Sequence, residues 1–359
     1  MQQCVSNRLD PAALGAKRIA GVIGDAPSVY SKSPRLWNAA FQELQLDAAY
    51  VPLDVAEAAL PRLIRVIRDS PRFLGVNVTV PYKIAVLSHL DESDDECRRV
   101  GAVNTVVRTA EGKLVGHNTD GRGFLASLLE TFPGQARPFL PGLAGAEVLL
   151  LGAGGAARAV AFALAQEGAK LIISNRTRAA AQSLARAVAQ EGASASGIGE
   201  DEIDAWARRV DLIVNATVKG QEGWRKMPDN KITSLEPYSA LAPANPSGVE
   251  GAPEAPEVYR AWLKASRADI EANNRASLEL ALAIPAEVAF YDLIYAPPET
   301  VFLRHGRYSG HRTLNGKRMI VAQAAEAFFH AIAREALQKS GRHTAEVYRR
   351  VLEIMLRAW

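Results

Sequence analysis

The stretch Glu147–Thr177, EVLLLGAGGAARAVAFALAQEGAKLIISNRT, leaves few options for how this part of the chain folds. An apolar run at 148–151 leads straight into Gly152-Ala153-Gly154-Gly155-Ala156-Ala157, and a helically spaced segment follows with no breaker before Gly168. A second apolar run closes the pattern, so strand, glycine turn, helix and strand form one βαβ unit. In that setting the glycines have a physical purpose. They let the backbone turn tightly and approach a pyrophosphate, whose charge meets the free N–H groups and positive end of the helix. The same glycines elsewhere would be a mere turn; here the flanking strand and helix favour a dinucleotide site at Gly152, Ala153, Gly154, Gly155 and Ala156.

The end of the next strand selects the dinucleotide. An NAD site usually places Asp or Glu about 20 residues after the first glycine, to hold the ribose hydroxyls. This chain has Ser174-Asn175-Arg176-Thr177-Arg178 there. No carboxylate is on offer, and two guanidinium groups can clamp a 2′-phosphate bidentately, which points to NADP. The plainer alternative is that both arginines only solvate the following helix.

Around this unit, short apolar runs alternate with amphipathic stretches. IAGVIG (19–24), AAYVPLDV (48–55), FLGVNVTV (73–80), VDLIVNAT (210–217) and AFYDLIYAP (289–297) read as strands. SPRLWNAAFQEL (33–44), with Ser33 as N-cap before Pro34, and LPRLIRVIRD (60–69) read as helices. Residues 102–120 read as a hairpin turning at Glu111-Gly112. Strands alternating with helices predict an α/β fold with largely parallel sheets. A Pro/Gly-rich segment, 132–145, reads as a linker between two domains, and a chain of 359 residues is long enough for both. The proline-rich piece after Thr217 reads as an irregular or mobile excursion, followed by a charged helical stretch.

Composition narrows the function class. The chain has 42 basic and 39 acidic side chains, a net +3 with no basic block, which argues against nucleic acid or a membrane surface. Two cysteines, Cys4 and Cys97, are too few for a disulfide framework or zinc cluster. No signal-peptide pattern and no spanning run is seen, so the expectation is a cytoplasmic protein.

Two segments are polar where a structural strand would be apolar. Asn77-Val78-Thr79-Val80-Pro81-Tyr82-Lys83 places Asn77 and Thr79 on one face of a strand end, with Lys83 just past the proline. Asn118-Thr119-Asp120-Gly121 is a second polar tip. Strand ends are where α/β enzymes gather reactive groups. A lysine can protonate the oxygen of a carbonyl under reduction, and an aspartate can orient it and keep it charged. Taken alone, such a pair is more often a surface ion pair than a catalytic one.

With these pieces in place the chain resembles the shikimate dehydrogenase family. The matching motifs run in order: SKSP (31–34) with WNAAF, NVTVPYK (77–83), GAVNT (101–105), GHNTDG (116–121), LGAGGAARA (151–159), SNRT (174–177), NAT (215–217), YDLIY (291–295), and NG followed by MIVAQAAEAF (315–328). They span nearly all of residues 19–330, and NVTVPYK, NTDG and GAGGA in that order are highly specific.

The resemblance implies two domains. Residues 17–140 plus 317–359 would bind substrate, and 141–316 would be a Rossmann-type NADP domain carrying an unusual insertion at about 219–288. It implies reversible NADP-dependent reduction of 3-dehydroshikimate to shikimate in aromatic amino acid biosynthesis, by a monomer or homodimer that needs no metal. Lys83 would be the catalytic acid/base and Asp120 its partner. Ser31, Ser33, Thr79, Asn104, Asp120, Tyr295 and Gln323 would hold the substrate carboxylate and hydroxyls. Gly152, Ala153, Gly154, Gly155, Ala156, Asn175, Arg176, Thr177 and Arg178 would hold the cofactor, with Leu293 and Gly316 near the nicotinamide.

The departures are also specific. Tyr30 and Trp37 stand where the family often has His, which implies a reshaped outer wall of the substrate pocket. Ala180 stands where many NADP-using members carry a further basic residue, with Arg178 as its substitute. Two rival readings follow: a quinate or quinate/shikimate dehydrogenase, and a non-catalytic protein that senses NADP and a metabolite. Intact Ser31 and Ser33 argue against the first, intact Lys83 and Asp120 against the second.

Overall fold

The computed structural model describes residues 1–359, the side chain of Ala13 aside. The chain divides into two compact units, Met1–Pro138 with Arg318–Trp359, and Phe139–Lys317.

The first unit is built on a six-stranded sheet of order β2-β1-β3-β5-β6-β4. Its strands are β1 (Arg18–Gly24), β2 (Ala48–Asp54), β3 (Phe73–Val78), β4 (Glu92–Ser93), β5 (Thr105–Arg108) and β6 (Leu114–His117). β1 runs parallel to β2 and β3. The expected parallel character stops at β5, which is antiparallel to both β3 and β6. β5 and β6 form the expected hairpin, whose tight connection through Gly112, at φ +88°, can join only antiparallel strands.

Side chains alternate between two apolar layers, as strand geometry requires. Ala20 and Val22 pack with Trp37, Phe41 and Phe328 on one side. Ile19 and Ile23 pack with Leu63, Ile67 and Phe73 on the other. The helices Ser33–Glu43 and Leu60–Asp69 cover opposite faces and lie where their apolar spacing puts them. Ser33 is not the N-cap expected of it. It is the first helical residue, and its backbone N–H donates to the Ser31 hydroxyl at 3.2 Å. Strand β3 stops at Val78, two residues short of the expected end.

The second unit carries a wholly parallel sheet of order β14-β13-β10-β7-β8-β9. Its strands are β7 (Glu147–Leu151), β8 (Lys170–Ser174), β9 (Ala195–Ile198), β10 (Leu212–Asn215), β13 (Ala289–Asp292) and β14 (Thr313–Leu314). Helices Gly155–Gln166 and Arg178–Gln190 follow β7 and β8.

The proline-rich piece after Thr217 is irregular as expected: residues 235–255 form no helix or strand beyond a bridge at Val249. The charged stretch after it is the expected helix, 28 residues long, Pro256–Ala283. No sequence pattern announced the hairpin ahead of it, β11 (Trp224–Lys226) with β12 (Ile232–Ser234), which aromatic side chains tie to the helix. Trp262 is 1% exposed, packs edge-on to Trp224 with ring centroids 5.6 Å apart, and donates its indole N–H to Thr233 Oγ1 at 3.1 Å. Leu280 and Ala281 at the far end of the helix join the core beneath the sheet. No helix among the described residues is long and apolar enough to cross a membrane.

Candidate active site

In the first unit, β3, β5, β6 and the helix Asp120–Leu129 converge on one polar cluster. The Lys83 ammonium donates to Asp120 Oδ2 at 2.5 Å. The lysine side chain is 23% exposed and the aspartate 9%, so the proton carrier is reachable while its partner is held inside. Asn104, just before β5, holds the other carboxylate oxygen: its Nδ2 donates to Asp120 Oδ1 at 2.9 Å, and also to Thr119 Oγ1 at 2.9 Å and Gln323 Oε1 at 3.3 Å. The Thr119 backbone N–H returns a bond to Asn104 Oδ1. Asn118 Oδ1 accepts from the Asp120 N–H, which fixes the first residue of that helix. Buried polar groups satisfied this fully hold one arrangement, because breaking any bond leaves a costly unpaired partner.

A second string of bonds leads from the serine loop to the same place. The Ser33 hydroxyl shares a hydrogen bond with the Tyr50 phenol, which donates to Asn77 Oδ1 at 2.6 Å. Asn77 Nδ2 donates in turn to Thr105 Oγ1 at 2.9 Å, and Thr105 donates to Asn104 Oδ1 at 3.0 Å. Burial pushes the Tyr50 phenol well above its ordinary pKa, so it stays a donor. Of these, Asn77 was legible as a polar residue on a buried strand, whereas Tyr50 and Thr105 were missed because aromatic and β-branched residues are ordinary in strands.

Ser31, Ser33, Thr79, Lys83, Asn104, Asp120 and Gln323 all lie in the first unit; Tyr295, just after β13, lies in the second. Thr79 lies just past the end of β3, half-buried, where its methyl meets the space a Cβ on Gly24 would occupy. Gln323 is not the exposed helical residue it could have been. A Cβ on Gly123 would sit 2.7 Å from the Gln323 backbone nitrogen, so glycine there lets two helices close and sets Gln323 against Asn104. Trp37 is fully buried and stacks on Tyr50 with centroids 4.7 Å apart. It is core behind the polar string and forms no outer wall of a pocket. Tyr30 donates its hydroxyl to Asp25 Oδ1 at 2.9 Å.

In the second unit, the glycine turn follows β7 as expected. Gly152 has φ +113°, and a Cβ there would meet the Ala216 carbonyl at 2.9 Å, so this position requires glycine. Gly154 and Gly155 face open space at the start of the helix Gly155–Gln166, with nothing within 4 Å of a would-be Cβ. Ala153 lies in the turn and Ala156 in the first turn of that helix. A pyrophosphate fits there, against free backbone N–H groups at a helix N-terminus. Asn175, Arg176 and Thr177 follow β8, and Asn175 Nδ2 donates to the Thr177 carbonyl at 3.2 Å. Leu293 and Gly316 lie together, with no room for a Cβ on Gly316 beside the Leu293 carbonyl.

Arg178 is placed differently from the clamp expected of it: Nη1 lies 2.7 Å from Glu202 Oε2 and Nη2 3.4 Å from Asp201 Oδ2. Lys219, unread in the sequence, is buried; it donates to Glu200 Oε1 and to the Ala242 carbonyl, both at 2.9 Å. Burial lowers its pKa, and Glu200 opposes that shift. Asp292 is fully buried, and burial pushes its pKa up to about 7 against bonds donated by Thr300, the Ile294 N–H and Asn215. No cluster of His, Cys, Asp and Glu able to hold a metal occurs among the described residues.

Comparison with known proteins places these features in context. Residues 22–106 match the family model described as shikimate dehydrogenase substrate binding domain, and 135–226 match that described as shikimate / quinate 5-dehydrogenase. The chain is similar to the shikimate dehydrogenase (NADP(+)) of Carboxydothermus hydrogenoformans, 35% identical over 314 residues, covering 88% of this chain and 91% of that one. It is similar to the crystal structure of shikimate 5-dehydrogenase from Thermus thermophilus in complex with NADP(H) and shikimate, at TM-score 0.63 and 30% identity, covering 95% and 99%. It is also similar to a quinate dehydrogenase from Corynebacterium glutamicum in complex with NAD, at TM-score 0.65 and 26% identity, covering 95% and 99%.

Proposed function

The chain belongs to the shikimate dehydrogenase family, and on that premise we infer that it catalyses the reversible NADP-dependent reduction of 3-dehydroshikimate to shikimate. The carrying observation is the Lys83–Asp120 pair, with Asn104 fixed on the free carboxylate oxygen. Bound NADPH supplies a hydride to the ring carbonyl. Lys83 gives the proton as that carbonyl oxygen gains negative charge, and Asp120 keeps the ammonium charged and aimed until then. Ser31 and Ser33 hold the substrate carboxylate; Thr79, Asn104, Tyr295 and Gln323 hold the ring hydroxyls or the carboxylate. Fixing the ring this way provides the rate advantage of positioned reactants.

Residues 17–140 with 317–359 form the substrate-binding part, and 141–316 the cofactor-binding part. The Gly152–Ala156 turn takes the pyrophosphate, Asn175, Arg176 and Thr177 take the adenosine ribose and its phosphate, and Leu293 and Gly316 border the nicotinamide. The proposed enzyme is cytoplasmic and a monomer or homodimer, and a net charge of only +3 supports a small-molecule substrate rather than nucleic acid or a membrane surface. Purified protein with shikimate and NADP+ is expected to reduce the dinucleotide, and quinate with NAD+ to be the poorer pair in kcat/KM. No turnover of shikimate with either dinucleotide would overturn the reading.

A further inference from the structure

Strands β8 and β9 are parallel neighbours, with Ser174 opposite Ile198, so residues 175–178 and 199–202 leave the sheet side by side. That edge carries Arg176, Arg178 and Lys219 against Glu200, Asp201 and Glu202. The pairing is uneven. Glu202 Oε2 forms an ion pair with Arg178 Nη1 at 2.7 Å and accepts from the Gly199 N–H at 2.9 Å. Arg178 Nη2 lies 3.4 Å from both Asp201 oxygens, so its fork is taken up by two carboxylates. Lys219 is taken up by Glu200 and the Ala242 carbonyl. Among the described residues, Arg176 has neither an ion pair nor a side-chain hydrogen bond, and its charge acts on Lys219 as a repulsion. Ala180 offers no further cation on the following helix.

We propose that Asp201 and Glu202 are specificity-determining residues of the cofactor site: they withhold Arg178 from the 2′-phosphate, leave Arg176 to hold it, and thereby narrow the preference for NADP over NAD. This rests on the NADP reading above. The physics is a competition for one guanidinium. An arginine whose donors already meet two carboxylates gains little from a phosphate, and the phosphate would meet their negative charge on arrival. Arg176 has no such competitor. The unphosphorylated ribose of NAD is indifferent to the contest, so the carboxylates lower the affinity for one dinucleotide only.

The test is binding of NADPH and NADH, followed by nicotinamide fluorescence, for wild type, Arg176→Ala, Arg178→Ala and the double variant Asp201→Asn/Glu202→Gln. Gln keeps the acceptor for the Gly199 N–H, and NADH affinity reports that each variant is folded. One charge-assisted hydrogen bond to the phosphate, made or broken, changes Kd about tenfold. Arg176→Ala is expected to weaken NADPH by about tenfold or more, and Arg178→Ala to leave it within about twofold. The double variant is expected to tighten NADPH about tenfold, with NADH unmoved in it and in Arg178→Ala, and Arg176→Ala to weaken NADPH far more than NADH. Arg178→Ala weakening NADPH as much as Arg176→Ala, or a double variant with unchanged NADPH affinity, overturns the proposal while the dehydrogenase reading stands. NADPH bound as expected, with no turnover of shikimate, sinks that reading and leaves this one. Failure of wild type to bind either dinucleotide sinks both.

Discussion

Asn104 and Asp120 are joined by a bond of 2.9 Å, from the amide nitrogen of one to the carboxylate oxygen of the other that Lys83 does not use. Asn104 precedes β5 and Asp120 opens the helix after β6, yet this contact sets the direction in which the aspartate presents itself to the ammonium group. A hydrogen bond to a charged group contributes about 1.5–3 kcal/mol. Asn104→Ala is therefore expected to lower kcat/KM for shikimate by roughly 10- to 100-fold, at about 1.4 kcal/mol per decade. Steady-state kinetics check this, and a variant within about twofold of wild type would contradict it.

Gly123 tests how closely two helices must approach to place Gln323. A methyl group there would lie 2.7 Å from a backbone atom, so one helix must give way. Gly123→Ala is expected to cost about 1–3 kcal/mol of stability, the usual range for overpacking, and to raise KM for shikimate more than it lowers kcat. Urea unfolding and initial rates measure the two effects.

The insertion makes a separate prediction. Trp262 is a buried pillar of the helix Pro256–Ala283, where that helix meets the hairpin. Trp262→Ala is expected to destabilise the protein by about 3–5 kcal/mol, as for other buried aromatic truncations, where a loose excursion would lose almost nothing. Chemical denaturation distinguishes these outcomes.

Much of this molecule was legible before its structure. The βαβ unit showed because apolar period, glycine turn and helix length agree over Glu147–Ser174, and Lys83 and Asp120 showed because polar residues at strand ends break an apolar pattern. Three things stayed hidden for physical reasons. Trp224 on the hairpin and Trp262 on the helix Pro256–Ala283 meet through a packing that no local pattern announces. Tyr50 reads as an ordinary strand aromatic, and its link to Asn77 depends on which strands neighbour each other. The carboxylates that engage Arg178 lie more than twenty residues downstream, on the exit of a different strand, so spacing alone presented that arginine as available.

Asp292 gives the pH dependence. Burial raises its folded-state pKa from an ordinary 3.8 to about 7. The folded chain then holds this proton more tightly than the unfolded one, so its contribution to stability is fully present below about pH 4 and is lost as pH rises through about 7. Wild type is expected to lose stability between those limits relative to Asp292→Asn, which lacks the titrating group. Parallel unfolding curves of the two proteins at acid and mildly alkaline pH test it; a constant difference would contradict it.

The most direct measurement is the rate of shikimate oxidation by Lys83→Ala at saturating shikimate and NADP+, followed by absorbance of the reduced nicotinamide. The variant is expected to retain binding of both ligands and to lose kcat by roughly 10²–10⁴, the range of a general acid or base. A kcat close to wild type would show that the ammonium held by Asp120 does not move the proton.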